Sequence, residues 1–279
     1  MILREPCLPR GWYPQEKAKI KEFLAPVENR AFSQVPAAVA PHAGWYYSGL
    51  PAAMAVSSLS REAETVVVIG GHLGGGMPIL AAQEDGVKTP FGSMNIDREL
   101  LEAFKKQVPT KPDRYQDNTV EVLLPMVHYF FPRAQLLWLR FPSELSSYDA
   151  GKSLAVIARN LGRSIAVLAS TDLTHYGDNY GFSPRGRGKS ALEWVKTVND
   201  AAFISAVMDG DPSRVLKHAE EDFSSCSAGA VLGALGFIAS HGIIKAKLLD
   251  YRTSADVTDS DEIPDSFVGY AAILLGARD

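Results

Sequence analysis

The chain has only two cysteines in 279 residues, Cys7 and Cys226, too few for a disulfide framework and simplest to read as belonging to a reducing compartment. It also lacks a long apolar run. The longest stretch, about Ala228 to Ala239, contains three glycines and falls short of a bilayer span. The opening residues Met1-Ile2-Leu3-Arg4-Glu5-Pro6 carry an early acid and no apolar core, so no signal peptide is expected. A cytoplasmic protein that neither enters nor crosses a membrane is the reading. An excess of either sign of charge is lacking too, with a formal net charge of −4, so composition gives no hint of nucleic acid. No Gly-x-Ser-x-Gly elbow is present. Gly74-Gly75-Gly76 lacks the Lys-Ser/Thr ending of a phosphate loop and the spacing of a dinucleotide fingerprint.

What is there is ordinary globular chain, with 46 % hydrophobic and 22 % charged residues. A chain of this size buries roughly three quarters of its unfolded surface and needs no covalent staples. Short β-branched runs alternate with helical patterns, which predicts an α/β fold with a largely parallel central sheet flanked by helices. Strands are expected at Ala37–Ala40, 65–69, 136–139, 165–169, 246–250 and 268–275. Asp97 is placed to cap a helix carrying Leu100, Leu101, Phe104 and Val108 on one stripe. Val120, Leu123, Leu124 and Val127 form a second stripe, in which Pro125 must kink the helix or sit near its start. Asp211-Pro212 reads as a cap with proline at the first helical position. Ala228 to Ala239 is apolar nearly all round and reads as a central buried helix. Residues 176–189, rich in glycine and arginine, read as too polar for core and as a mobile loop. No linker-like shift cuts the chain, so 1–279 is taken as one domain.

Ligands of open α/β sheets bind beyond the carboxyl ends of the strands. Three polar motifs fall there: Pro41-His42-Ala43-Gly44, Gly70-Gly71-His72, and Ser170-Thr171-Asp172-Leu173-Thr174-His175. A lone loop histidine is more often hydrogen-bonded than metal-bound. Three of them, each just past a buried strand, are harder to dismiss. Gly44, Gly70 and Gly71 permit the close approach that a crowded pocket requires, although simple tight turns would use them as well. Cys226 sits among Ser224, Ser225 and Ser227 at the expected start of the buried helix. Amide groups there would favour a thiolate, the form that binds metal or attacks electrophiles. The candidate metal ligands are therefore His42, His72 and Cys226. Cys7 has no such setting.

Asp172 and His175 suit general acid–base work or support of a metal ligand, but an aspartate cap with His175 in the first helical turn is an equal alternative. Asn118 and Glu121 open the second helix and could reach the same crevice. Trp45, Tyr46 and Tyr47 beside His42 could wall it. His128, His218 and His241 have bland settings on or at the ends of helices.

Together these residues resemble the Memo family, known in microbes as AmmeMemoRadiSam system protein B. The likeness covers nearly the whole chain. Gly11-Trp12-Tyr13-Pro14, Pro41-His42-Ala43-Gly44-Trp45-Tyr46-Tyr47-Ser48-Gly49, Thr89-Pro90-Phe91-Gly92, Ser170 through Gly177, Tyr251-Arg252-Thr253-Ser254 and Val268-Gly269-Tyr270 follow in the family's order. The resemblance implies a fold similar to class III extradiol dioxygenases, which use non-haem iron(II). It implies His42, His72 and Cys226 as the ligand positions and His175, with Asp172 beside it, as the acid–base pair. It also implies association with a radical SAM protein and an AMMECR-type protein. Three departures stand out. Gly70-Gly71-His72-Leu73 replaces the family's Gly-Pro-x-His-His, Asp117-Asn118-Thr119 replaces Glu-His-Ser, and Ser227 follows the cysteine in place of glycine.

The expected function is a metal-dependent oxidoreductase. It would use one transition-metal ion, iron(II) first, with copper or zinc as alternatives favoured by the soft thiolate. Trp45, Tyr46 and Asn118 are the expected substrate-binding residues. The competing expectation is a non-catalytic metal carrier, or a scaffold holding a peptide or small molecule in the same cleft.

Overall fold

Thr65-Val66-Val67-Val68-Ile69 are all β-branched, the side chains that pack best on a pleated surface covered on both faces. In the computed structural model of the chain they open the strand Thr65–Leu73, and all five are buried. The structure describes residues 1–28, 30, 32–242, 245–258 and 262–277. Four parallel strands form its centre, in the order Ala37–Ala40, Ile165–Ser170, Thr65–Leu73, Gln135–Pro142. Antiparallel neighbours flank them: Ser266–Leu275 beside Ala37–Ala40, and Ile79–Ala81 beside Gln135–Pro142. Ala246–Thr253 and His175–Gly177 both pair with Ser266–Leu275, and Thr110–Pro112 lies parallel to Ile79–Ala81. Leu3–Arg4, Gly86–Thr89 and Gly92–Asn95 make a separate small sheet.

The six anticipated strands are all present, each at or slightly beyond its expected bounds. Six short ones were not anticipated: Leu3–Arg4, Ile79–Ala81, Gly86–Thr89, Gly92–Asn95, Thr110–Pro112 and His175–Gly177. Two to four residues are too few for an alternation to show, so long-range pairing decides them.

Helices follow their capping signals. Asp97 accepts the Leu100 N–H at the start of Arg98–Gln107, and Asp211 accepts those of Ser213 and Arg214 ahead of Pro212–Glu221. The stripe from Val120 to Val127 is broken into Asn118–Glu121 and Leu124–Phe130, with Pro125 in the first turn of the second helix, where its missing N–H is harmless. Ala228–Ala239 is buried along nearly its whole length and packs on Ser146–Asn160 and on the central strands. The two helices cross almost backbone to backbone: a Cβ on Gly151 would lie 1.9 Å from the Gly233 carbonyl oxygen.

One contiguous hydrophobic cluster joins these elements, with a small satellite of Tyr176, Ala191, Val195 and Phe267. The satellite corrects the reading of residues 176–189 as too polar for core. Tyr176 is buried and stacks on Phe267 with ring centroids 5.0 Å apart. Its hydroxyl donates to the Gly186 carbonyl and accepts from Arg185 N–H, which ties the glycine-rich stretch down.

Candidate metal centre

The four parallel strands deliver one polar group each, side by side, at their carboxyl ends. His42 lies two residues past Ala37–Ala40, Ser170 ends Ile165–Ser170 with Asp172 just beyond, His72 stands near the end of Thr65–Leu73, and Arg140 near the end of Gln135–Pro142. Cys226 comes from above the sheet, two residues before the helix Ala228–Ala239. One donor atom from each of His42, His72 and Cys226 lies within 4.8 Å of the others. The Cys226 Sγ is 3.2 Å from His42 Nε2, and the two imidazole rings meet edge to face with centroids 4.9 Å apart. Metal–sulfur and metal–nitrogen bonds of about 2.3 and 2.05 Å, at 90 to 110° to one another, set their donors about 3.1 to 3.6 Å apart. The Cys226–His42 pair has this spacing, and with His72 inside the same 4.8 Å cluster the donor set of two imidazoles and a thiolate suits a transition-metal ion.

Each ligand candidate is held by a partner on its far side. His42 Nδ1 lies 2.8 Å from the Ser170 hydroxyl, and its backbone N–H donates to Asp172 Oδ1 at 2.7 Å. His72 Nδ1 donates to Asp117 Oδ2 at 3.0 Å, which leaves Nε2 to the centre. Asp117 in turn accepts from Arg140 Nη2 at 3.1 Å, and Arg140 Nε and Nη2 donate to the Gly71 carbonyl at 2.9 and 2.8 Å. A register shift in Thr65–Leu73 between Gly70 and Leu73 aims His72, which takes φ +57°. That conformation costs a non-glycine residue about 1–2 kcal/mol and persists only where neighbours impose it. Gly71 permits the approach of the cysteine segment: a Cβ there would fall 2.3 Å from the Ser227 Cβ.

The amide that favours a thiolate is not at the helix start as expected. Ser227, the residue before the helix, makes no side-chain cap bond, and the Asp172 N–H donates to Cys226 Sγ at 3.3 Å. Burial alone would raise the Cys226 thiol, but His42 and His72 beside it pull it well below the usual range. Burial likewise would lower His42, and the Asp172 carboxylate and Cys226 sulfur outweigh it. In the metal-free centre the sulfur and the imidazoles thus each favour the charged form of the other. Burial holds the Asp172 carboxyl up, against the pull of His42.

Asp172 does not cap a helix, and His175 is not in a helical turn. His175 opens the short strand His175–Gly177, its Nδ1 donating to the Leu173 carbonyl at 3.1 Å and its ring meeting Tyr180 edge to face. Beneath this loop the wholly buried Asp200 accepts from the Thr174 N–H and hydroxyl and from the Tyr251 hydroxyl at 2.8 Å. Asp200 directly follows a π-helical turn, Val195–Asn199, of the kind that recurs at functional sites.

A cleft of about 730 Å³ opens over the centre, lined in part by His42, His72, Asp172, His175, Asn118, Tyr47, Tyr180 and Tyr270. Asn118 lies where expected and donates to the His42 carbonyl at 3.0 Å. Trp45 does not reach this cleft. It is buried in the core, donates Nε1–H to the Val122 carbonyl and packs on Phe23. Tyr46 is exposed and lines a separate groove with Trp45, while Tyr47, one residue on, faces the cleft. The helix Trp45–Ser57 is apolar on most sides, so its sequence did not reveal which aromatic points where. Glu121 also turns away, accepting the N–H groups of Cys7 and Leu8 and the Tyr13 hydroxyl, which straps the N-terminal segment to the fold.

Arg140 was not singled out from the sequence, and Ser170 and Ser227 were named there only as neighbours of Asp172 and Cys226. An arginine in the otherwise apolar run Leu136-Leu137-Trp138-Leu139-Arg140-Phe141 is the signal that could have found the first. No helix among the described residues is long and apolar enough to cross a membrane.

The family model of Memo-like proteins matches residues 4–274. A MEMO1 family protein of Pyrococcus abyssi is 30 % identical over 98 % of this chain and 99 % of its own length. One from Archaeoglobus fulgidus is also 30 % identical, with the same coverage. Among solved structures, an uncharacterized protein from Escherichia coli K12 aligns over 87 % of this chain and all of its own, with a TM-score of 0.45 and 13 % identity, too loose a likeness to argue from. A family match over residues 4–274, with relatives 30 % identical along nearly the whole chain, leaves one conclusion: the chain belongs to the Memo-like protein family.

Proposed function

We propose that the protein is a metal-dependent oxidoreductase of dioxygenase-like architecture, acting on a small molecule held in the cleft over His42, His72 and Cys226. The observation that carries this reading is the convergence of three donor atoms within 4.8 Å, two of them on histidines that line a cleft also lined by His175. Three protein ligands on one side leave coordination positions open, as in the two-histidine, one-anion sites of non-haem iron enzymes. A redox-active ion held there would supply electron transfer between substrate and dioxygen, with iron(II) the first candidate and copper favoured by the thiolate.

The chain's own residues do the rest. His175 donates through Nδ1 to the Leu173 carbonyl, so its Nε2 carries the free lone pair and takes a proton from bound substrate. Tyr180 holds that ring edge-on. Burial raises the Tyr180 and Tyr270 phenols, which stay protonated and serve as donors to substrate oxygen atoms. Asp172 fixes the His42 backbone and keeps Cys226 charged through its N–H.

Metal analysis followed by oxygen-uptake assays with phenolic and other small oxidisable substrates tests the reading. Stoichiometric metal with substrate-triggered oxygen uptake supports it. Tight metal without turnover on any substrate points to a carrier instead.

A further inference from the structure

The two histidines are held in unlike ways: a serine hydroxyl backs His42, whereas an arginine buried in the sheet stands behind His72. We propose that Arg140 is a positioning residue of the metal centre, clasping both the backbone and the side chain of His72 so that the ring stays turned toward Cys226. This deepens the metal-binding reading above and rests on it.

The geometry is a closed loop of contacts. Arg140 is only 3 % exposed and gives two N–H groups to one acceptor, the Gly71 carbonyl. That carbonyl belongs to the peptide plane leading into His72. The other end of the same plane, the His72 N–H, is held by the Ser227 hydroxyl at 3.2 Å. A peptide plane pinned at both ends is what a histidine at φ +57° needs, because nothing in its own covalent chemistry favours that conformation. On the side-chain route, one oxygen, Asp117 Oδ2, accepts from both Arg140 Nη2 and His72 Nδ1. The guanidinium thus orients the carboxylate that sets the His72 tautomer. Asp113, wholly buried on its side-chain face, lies 3.4 Å from Nη1 and balances the remaining edge of the fork.

A lysine cannot reproduce this. Its ammonium is a point on a flexible stem, whereas the clasp needs donors spread across a rigid plane to reach Gly71, Asp117 and Asp113 together. His42 and Cys226 touch none of these groups in the described contacts, so loss of the clasp should release one ligand out of three.

Cobalt(II) titrated into the full-length chain reads this directly. Its thiolate charge-transfer band reports Cys226, and its visible ligand-field bands report the number and geometry of the other donors. Arg140→Lys should bind cobalt at least 10-fold more weakly, keep the thiolate band, and show ligand-field bands matching those of His72→Ala. Wild-type affinity with an unchanged spectrum would overturn the proposal. A wild-type protein that binds cobalt with no thiolate band sinks the metal-centre reading instead, so the two failures are distinct. Should Arg140→Lys not fold, judged by near-ultraviolet dichroism without metal, Asp117→Asn carries the test. It keeps an acceptor oxygen for His72 but loses the ionic tie to Arg140, and unchanged cobalt affinity in that variant would equally overturn the clasp.

Discussion

Gly71→Ala puts the account's geometry under direct strain. A methyl group at this position would lie 2.3 Å from the Ser227 Cβ, 2.4 Å from its Oγ and 2.8 Å from its Cα. Normal carbon–carbon contact is about 3.5 Å, so the two segments must part by about 1 Å. Rotating the serine side chain cannot relieve this, because the backbone Cα is itself inside contact distance. Overpacking of this kind costs about 1–3 kcal/mol. Ser227 is bonded to Cys226 in the chain, and its hydroxyl holds the His72 N–H, so the displacement also pulls the sulfur away from the His72 ring. The expected result is a loss of about 1–3 kcal/mol in urea unfolding of the metal-free protein, with metal affinity falling about 10-fold or more, as when a support of a metal ligand is removed. Gly74→Ala is the control: no atom lies within 4 Å of its Cβ, and a change below about 0.5 kcal/mol is expected. If Gly71→Ala unfolds and binds metal like the parent, the close approach of the two segments is not what builds the site.

Three further expectations follow from other parts of the structure. Burial holds the Asp200 carboxyl up at about 6, against about 3.9 in the unfolded chain, so the native state binds this proton more tightly. Its contribution is fully present below about pH 4 and is lost as pH rises to about 6, by about 3 kcal/mol in all; urea midpoints across pH 4 to 7 should fall less steeply for Asp200→Asn, and parallel profiles would refute the assignment. Glu121→Gln exchanges a carboxylate that accepts from Cys7, Leu8 and Tyr13 for a group that must turn an NH₂ toward one of them, a loss of about 1–3 kcal/mol with faster protease cleavage between Arg4 and Tyr13. Cys226→Ala should lower metal occupancy severely while His175→Ala leaves it near the parent value, measured by metal content after dialysis, because only the sulfur is among the clustered donors.

The parts of this fold that were legible in the sequence are those where local chemistry and tertiary need coincide. The β-branched run at Thr65 could only be a buried strand, and Asp97 and Asp211 announced their helices through groups within four residues of themselves. His42, His72 and Cys226 could be picked out because each sits at an element end with glycine or serine within two residues. What stayed hidden depends on partners far along the chain. Arg140 makes sense only once Asp113, Asp117 and Gly71 surround it, and an isolated arginine in a strand says nothing of them. Trp45 was assigned to the cleft from its neighbour His42, yet its helix begins between them and turns the indole into the core. His175 was weighed as helical because Asp172 precedes it at capping distance, but Asp172 is taken by the His42 N–H, and the chain runs on to pair with Ser266–Leu275.

The most direct measurement is an anomalous-difference map from crystals grown with the metal that co-purifies or, failing that, with added iron(II). The account predicts a single strong peak about 2.0 to 2.4 Å from His42 Nε2, His72 Nε2 and Cys226 Sγ, facing the cleft that holds His175. A peak bound elsewhere, or one that leaves the Cys226 sulfur uncoordinated, would contradict it.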